Sequence, residues 1–300
     1  MTPTPLQANL LTFAPESWGE VGYFAHFYAA TFTLTAEGKK CLPGIKAHFE
    51  KTVTITHLLG KLGPGLSIDN EQLRTNGFTA AENSREFTAV AEGVFTELYS
   101  TVDCARKVIT DIFRGCRRMP GNSTRKLFAA IAAGTVGPEM PDAVKAPFRN
   151  ASWYPILRQI RDDLTHADTG HARLDDATNK VVYTHFSIKV GGRPLVIPDF
   201  MNAIADITAG VNTFLGELFG ALNAMLRPTH SDQLCGFFNG GSAYMRRVPN
   251  ERPITFHSGV CLSRQWYDQD PTKLCPFSAE CDAYSRALSP GGSTSHSPRC

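Results

Sequence analysis

Apolar residues recur at three- and four-residue steps through several long stretches of this chain, the mark of helices with one buried face. The clearest stretch sets Phe87, Val90, Ala91, Val94, Phe95, Leu98, Tyr99, Val102, Ala105, Val108, Ile109, Ile112 and Phe113 on a single stripe. It predicts a helix of about thirty residues, with Ser84 as N-cap and Gly115 as its stop. A second long helix is predicted from Asp199, with Phe200, Ile204, Ile207, Val211, Phe214, Leu218 and Leu222 inside and Pro228 as terminator. Shorter helices are expected within 17–36, over 45–61, over 124–133, and from Ser152 to about Gly170. The last of these has Ile156, Leu157, Ile160 and Leu164 on its buried face. Gly63-Pro64-Gly65 reads as a breaker followed by a loop to about Phe78. Residues 180–197 change to β-prone runs split by Gly191-Gly192, which reads as a small hairpin.

These elements predict a mainly α chain: an antiparallel helical bundle with a small β-hairpin insertion and an irregular Cys-containing C-terminal tail. The expected division is a bundle over 1–228, an appendage over 229–288 rich in cysteine and aromatic residues, and a disordered tail over 289–300. Composition narrows the picture further. Hydrophobic residues are 42% of the 300, enough for a sizeable core, and a net charge of +2 excludes a globally basic nucleic-acid coat. There is neither an apolar run of membrane-spanning length nor a basic-then-apolar signal segment at the start, so no membrane partner and a cytoplasmic location are expected. The eight cysteines then read as thiols or metal ligands rather than disulfides.

One helix carries candidate chemistry. It contains Arg161-Asp162-Asp163-Leu164-Thr165-His166. Spacing alone means little: with 19 arginines and 9 histidines, chance supplies about 0.6 such Arg–His pairs. A second pair, Arg252 and His257, carries a proline after the arginine and lies in the irregular tail, so it is set aside. The first pair ends an amphipathic helix that follows a long one. In this setting the chain resembles the HEPN superfamily, whose hallmark is an arginine, a polar residue, and a histidine four to six positions after the arginine. The resemblance covers about residues 80–227.

That resemblance implies a metal-independent endoribonuclease, of a kind often serving as a toxin or an antiviral effector. It implies a homodimer whose two Arg–His helices line one cleft, and a regulatory protein such as an antitoxin as a further partner. Cleavage would use the RNA's own 2′-hydroxyl, leave a 2′,3′-cyclic phosphate and require no cofactor. Residue chemistry points the same way. An imidazole moves protons near neutral pH, and a guanidinium fork suits phosphorane oxygens. Arg161 would hold the scissile phosphate, His166 would handle the proton and Asp162 would orient Arg161. Five residues along a straight helix turn about 140° and rise about 7.5 Å, so Arg161 and His166 cannot converge from one regular helix. Either the last turn opens or a partner chain completes the site.

Two further features bear on binding. Between positions 106 and 126 seven cations face Asp111 alone. Arg114, Arg117, Arg118, Arg125 and Lys126 are candidate phosphate contacts there, joined by Arg158 one turn before Arg161. The alternative reading is a non-catalytic module binding RNA or protein through this segment. In the tail, His257, Cys261, Cys275 and Cys281 are candidate ligands for a structural zinc ion, at looser spacing than common zinc motifs.

Overall fold

The computed structural model describes residues 9–287. Along the chain its elements are β1 (Leu10–Leu11), α1 (Gly19–Phe27), α2 (Ala36–Leu62), α3 (Leu66–Asn76), α4 (Glu82–Ile112), α5 (Thr124–Ala132), α6 (Asp142–Asn150), α7 (Tyr154–His166), β2 (His171–Asp175), β3 (Lys180–Val190), β4 (Arg193–Ile197), α8 (Phe200–Asn223), β5 (His230–Phe238), β6 (Ser242–Pro249), β7 (Val260–Cys261), α9 (Arg264–Tyr267) and α10 (Asp282–Arg286). The expected disordered stretch 289–300 lies outside the described residues. The described residues divide into two compact units: residues 32–224, and a second unit built from residues 9–31 with 225–287.

The expectation of a mainly helical chain with one hairpin is overturned. The described residues form two antiparallel sheets, one of three strands in the order β2-β3-β4 and one of four in the order β1-β5-β6-β7. The hairpin at 180–197 gains His171–Asp175 as a third strand, and the supposedly irregular tail is a sheet. Its long strands went unread because Arg246 occupies a core position between the buried Tyr244 and Val248. A bulge between Leu234 and Gly236 shifts the register of the partner strand. Both features interrupt the alternation that marks a strand.

In the unit 32–224, α4 is the axis. Gly38 lies against Asp111, Gly44 against Cys104 and Gly93 against Ile55, so α2 runs antiparallel along α4. The absence of a Cβ at Gly38 and Gly44 lets the helices close at these points. Helices α7 and α8 also pack on α4. Phe95 of α4 stacks on Phe200 of α8 at 5.9 Å, and Phe128 of α5 stacks on Tyr154 of α7 at 3.6 Å. The loop expected after Gly65 is instead α3. Its buried Asp69 accepts hydrogen bonds from the Ser84 amide at 2.7 Å and the Asn83 side chain at 2.8 Å. That carboxylate takes the capping role expected of Ser84, because α4 begins two residues earlier, at Glu82. Asp199 does cap α8, accepting from the Asn202 amide.

In the other unit, β5 and β6 turn at Asn239-Gly240-Gly241, all at positive φ, a conformation the two glycines adopt without a Cβ clash. β1 pairs Leu10 with Phe237 on the outer edge of β5. Phe13, Tyr23, Phe27, Phe238, Tyr244 and Val248 form the core.

Candidate active site

Helix α7 forms because Tyr154, Leu157 and Ile160 share a buried face, the last two fully buried, with Pro155 accommodated in the first turn. It stays α-helical through His166, and the Ala167 amide closes on the Asp163 carbonyl at 2.8 Å. Arg161 is half-buried. Its guanidinium lies over the Tyr99 ring of α4, 4.5 Å from the centroid, and its Nη1 donates to Asp162 Oδ1 at 3.1 Å. Asp162 therefore does meet the arginine it was expected to orient. His166 is exposed at the C-terminal end of α7, and its side chain makes no hydrogen bond or ion pair among the described residues. With no break in the helix, the arginine and histidine of one chain point in divergent directions.

A second set of side chains supports this helix end. The hydroxyl of Ser187 in β3 donates to Asp163 and lies 3.1 Å from His185 Nδ1. His185 is fully buried, with no hydrogen-bond partner for Nε2. Asp163 thus meets the hydroxyl rather than the far ring nitrogen, which is not the arrangement of a serine nucleophile with its base and orienting acid. Deeper in, Glu92 of α4 accepts from the Gly170 amide at 2.6 Å and from the Tyr183 hydroxyl at 3.0 Å. Burial raises the Glu92 carboxyl above the usual glutamate range despite these two bonds.

The basic segment divides. Arg106 is buried, bonded to Asp103 and to the Gly121 carbonyl, each at 2.9 Å, and Lys107 bridges Glu37 and Asp103. Arg114, Arg117, Arg118, Arg125 and Lys126 are exposed, and none makes an ion pair within 4.0 Å among the described residues. Arg114, Arg117 and Arg118 lie beyond the C-terminal end of α4, about 20 Å along that helix from Tyr99, whereas Arg125 and Lys126 begin α5, whose Thr124 donates to Asp103 further back along α4 at 2.5 Å. Arg158 is half-buried on α7, near Tyr154.

Of the tail residues singled out as metal ligands, Cys261, Cys275 and Cys281 line one cavity with Cys235, which spacing had not linked to them. His257 is on the surface instead, its Nδ1 3.7 Å from Asp282. Buried Arg246 stands among the sulfurs, donating from Nε to Cys235 Sγ at 2.8 Å and from Nη2 to Cys281 Sγ at 3.5 Å. Burial pushes the Cys235 thiol up to about 11, against the pull of Arg246. Among the described residues no group of three or more His, Cys, Asp or Glu side chains is placed to hold a metal ion.

Tyr99, Glu92, Tyr183 and Ser187 were not anticipated at the site. The signal was present for Glu92: with Thr88 it interrupts the apolar stripe of α4 at a four-residue step. Comparison with protein-family models, curated proteins and solved structures finds no match to this chain. No helix among the described residues is long and apolar enough to cross a membrane.

Proposed function

We propose that this chain is an endoribonuclease of the HEPN type, acting as a homodimer in a cytoplasmic setting as a toxin or defence effector. The observation that carries the reading is the state of the motif helix. Arg161 is held over an aromatic ring while His166 stands exposed and unpartnered at the end of an unbroken helix. Apposing two copies of α7 brings the arginine of one chain towards the histidine of the other. In that cleft Arg161 binds the non-bridging oxygens of the scissile phosphate and stabilises the charge that grows on them. The 2′-oxygen loses its proton and attacks phosphorus; the 5′-oxygen leaves and takes up a proton. The imidazole of His166 serves this proton traffic. The products are a 2′,3′-cyclic phosphate and a 5′-hydroxyl.

The five exposed cations at 114–126 and Arg158 provide phosphate contacts flanking the cleft. The test is RNA cleavage by the purified chain in EDTA, with His166→Ala alongside and product ends analysed. Cyclic-phosphate ends that vanish in a folded variant support the proposal; equal cleavage by the variant removes it.

A further inference from the structure

Three residues separate His166, at the end of α7, from Gly170, so what holds Gly170 restrains the helix end that carries the imidazole. At Gly170 the chain turns from exposed to buried. Two polar side chains of α4, one helical turn apart, receive it there. Glu92 Oε1 accepts from the Gly170 amide at 2.6 Å, and Thr88 Oγ1 accepts from the Ala172 amide at 2.9 Å. Glu92, Thr88 and Ala172 are all buried, so water cannot replace these bonds. Tyr183 locks the arrangement. Its hydroxyl donates to the same Glu92 oxygen, and its ring stacks on Phe200 at 4.3 Å. That ring lies so close over Gly170 that a Cβ there would sit 2.1 Å from Cζ. On the other side the loop is anchored by α7, whose Leu157 and Ile160 are fully buried.

We infer that Glu92 is a positioning residue for His166, acting through the Gly170 amide to fix the short exposed connection that leaves the helix end carrying the imidazole. The inference rests on the proposed ribonuclease reading for its catalytic consequence, though not for the clamp itself. Glu92 touches neither substrate nor the reacting atoms. Its task is to keep the His166 ring from wandering, and displacement of a proton-transfer group by about 1 Å costs about 100-fold in rate.

The experiment uses the full chain with Glu92→Ala and Glu92→Gln. Steady-state RNA cleavage is measured beside amide hydrogen exchange at Gly170 and the His166 titration followed by NMR. Glutamine keeps an oxygen that accepts from Gly170 and Tyr183, whereas alanine removes it. The expected result is a kcat about 10- to 100-fold lower in Glu92→Ala with KM within about twofold, and substantial recovery in Glu92→Gln. Gly170 exchange should quicken in the alanine variant and remain slow in the glutamine variant. A folded Glu92→Ala chain with wild-type kcat, or with unchanged Gly170 exchange, overturns the inference. If Glu92→Ala does not fold, Glu92→Gln decides: loss of kcat with Gly170 exchange unchanged overturns it, and kcat retained with slow exchange supports it. Failure of the wild-type chain to cleave RNA overturns the ribonuclease reading instead, and Gly170 exchange with the His166 titration then decides the clamp alone.

Discussion

The Arg161 guanidinium lies 4.5 Å from the centroid of the Tyr99 ring, which ties the motif helix to the central helix of its unit. A partly exposed contact of this kind is worth about 0.5–1 kcal/mol. Tyr99→Leu removes the ring and frees the guanidinium, so cleavage should fall several-fold, while Tyr99→Phe keeps the face of the ring and the activity. Matched kcat/KM values for wild type, Phe and Leu variants would show that the ring does not organise the arginine.

Gly170 has no room for a side chain. Gly170→Ala forces the Tyr183 ring off its stack on Phe200 or shifts the backbone away from Glu92. Overpacking of this degree costs about 1–3 kcal/mol. Urea unfolding should therefore show a lower midpoint with unchanged slope. A midpoint equal to wild type would mean the ring yields freely.

RNA affinity should depend on salt through the exposed cations at 114–126. Each phosphate contact to single-stranded RNA contributes about 0.7 to the slope of log affinity against log salt. Replacing Arg117 and Arg118 together by alanine should lower the slope by about 1.4 and weaken all sequences alike. An unchanged slope places the RNA elsewhere on the surface.

Half-buried Asp103 and buried Glu92 give opposite pH dependence. Burial would raise Asp103, but hydrogen bonds from Thr124 and Arg106 and the charges of Arg106 and Lys107 outweigh it and hold it below the ordinary aspartate range. Its stabilising contribution is present above the ordinary value and is lost as pH falls through the lowered one. Glu92 is raised by burial, so its contribution is full below the ordinary glutamate value and is lost as pH rises through its raised one. Asp103→Asn should flatten the acid side of a stability-versus-pH curve, and Glu92→Gln the side above the ordinary glutamate value. Curves parallel to wild type would show that neither group titrates differently on folding.

The legible parts of this chain were those whose pattern was both local and apolar. The stripes of α4 and α8 announced two long helices, and Asp199 announced the start of the second. Helix α3 was hidden because it buries little besides Leu66 and Asp69, and its role is to cap a neighbour. The four-stranded sheet was hidden because an arginine fills a core position in β6. Leu10 and Phe237, paired across it, lie more than two hundred residues apart, a relation no local pattern encodes. At the candidate site the Arg161–His166 spacing could be read directly. Tyr99 could not, since a half-buried tyrosine in an apolar stripe looks like core. Glu92 and Thr88 were visible only as imperfections in that stripe, and their partners Gly170 and Ala172 became apparent once the chain was folded.

The proposed site joins Arg161 of one chain to His166 of its partner. Mixing the separately inactive Arg161→Ala and His166→Ala chains, with subunit exchange allowed, tests that pairing. A heterodimer of the two then contains one complete cross-chain pair, and random pairing of equal amounts restores about a quarter of wild-type cleavage. If each pair works within its own chain, no complete pair exists in any dimer, and the mixture stays as inactive as its parents.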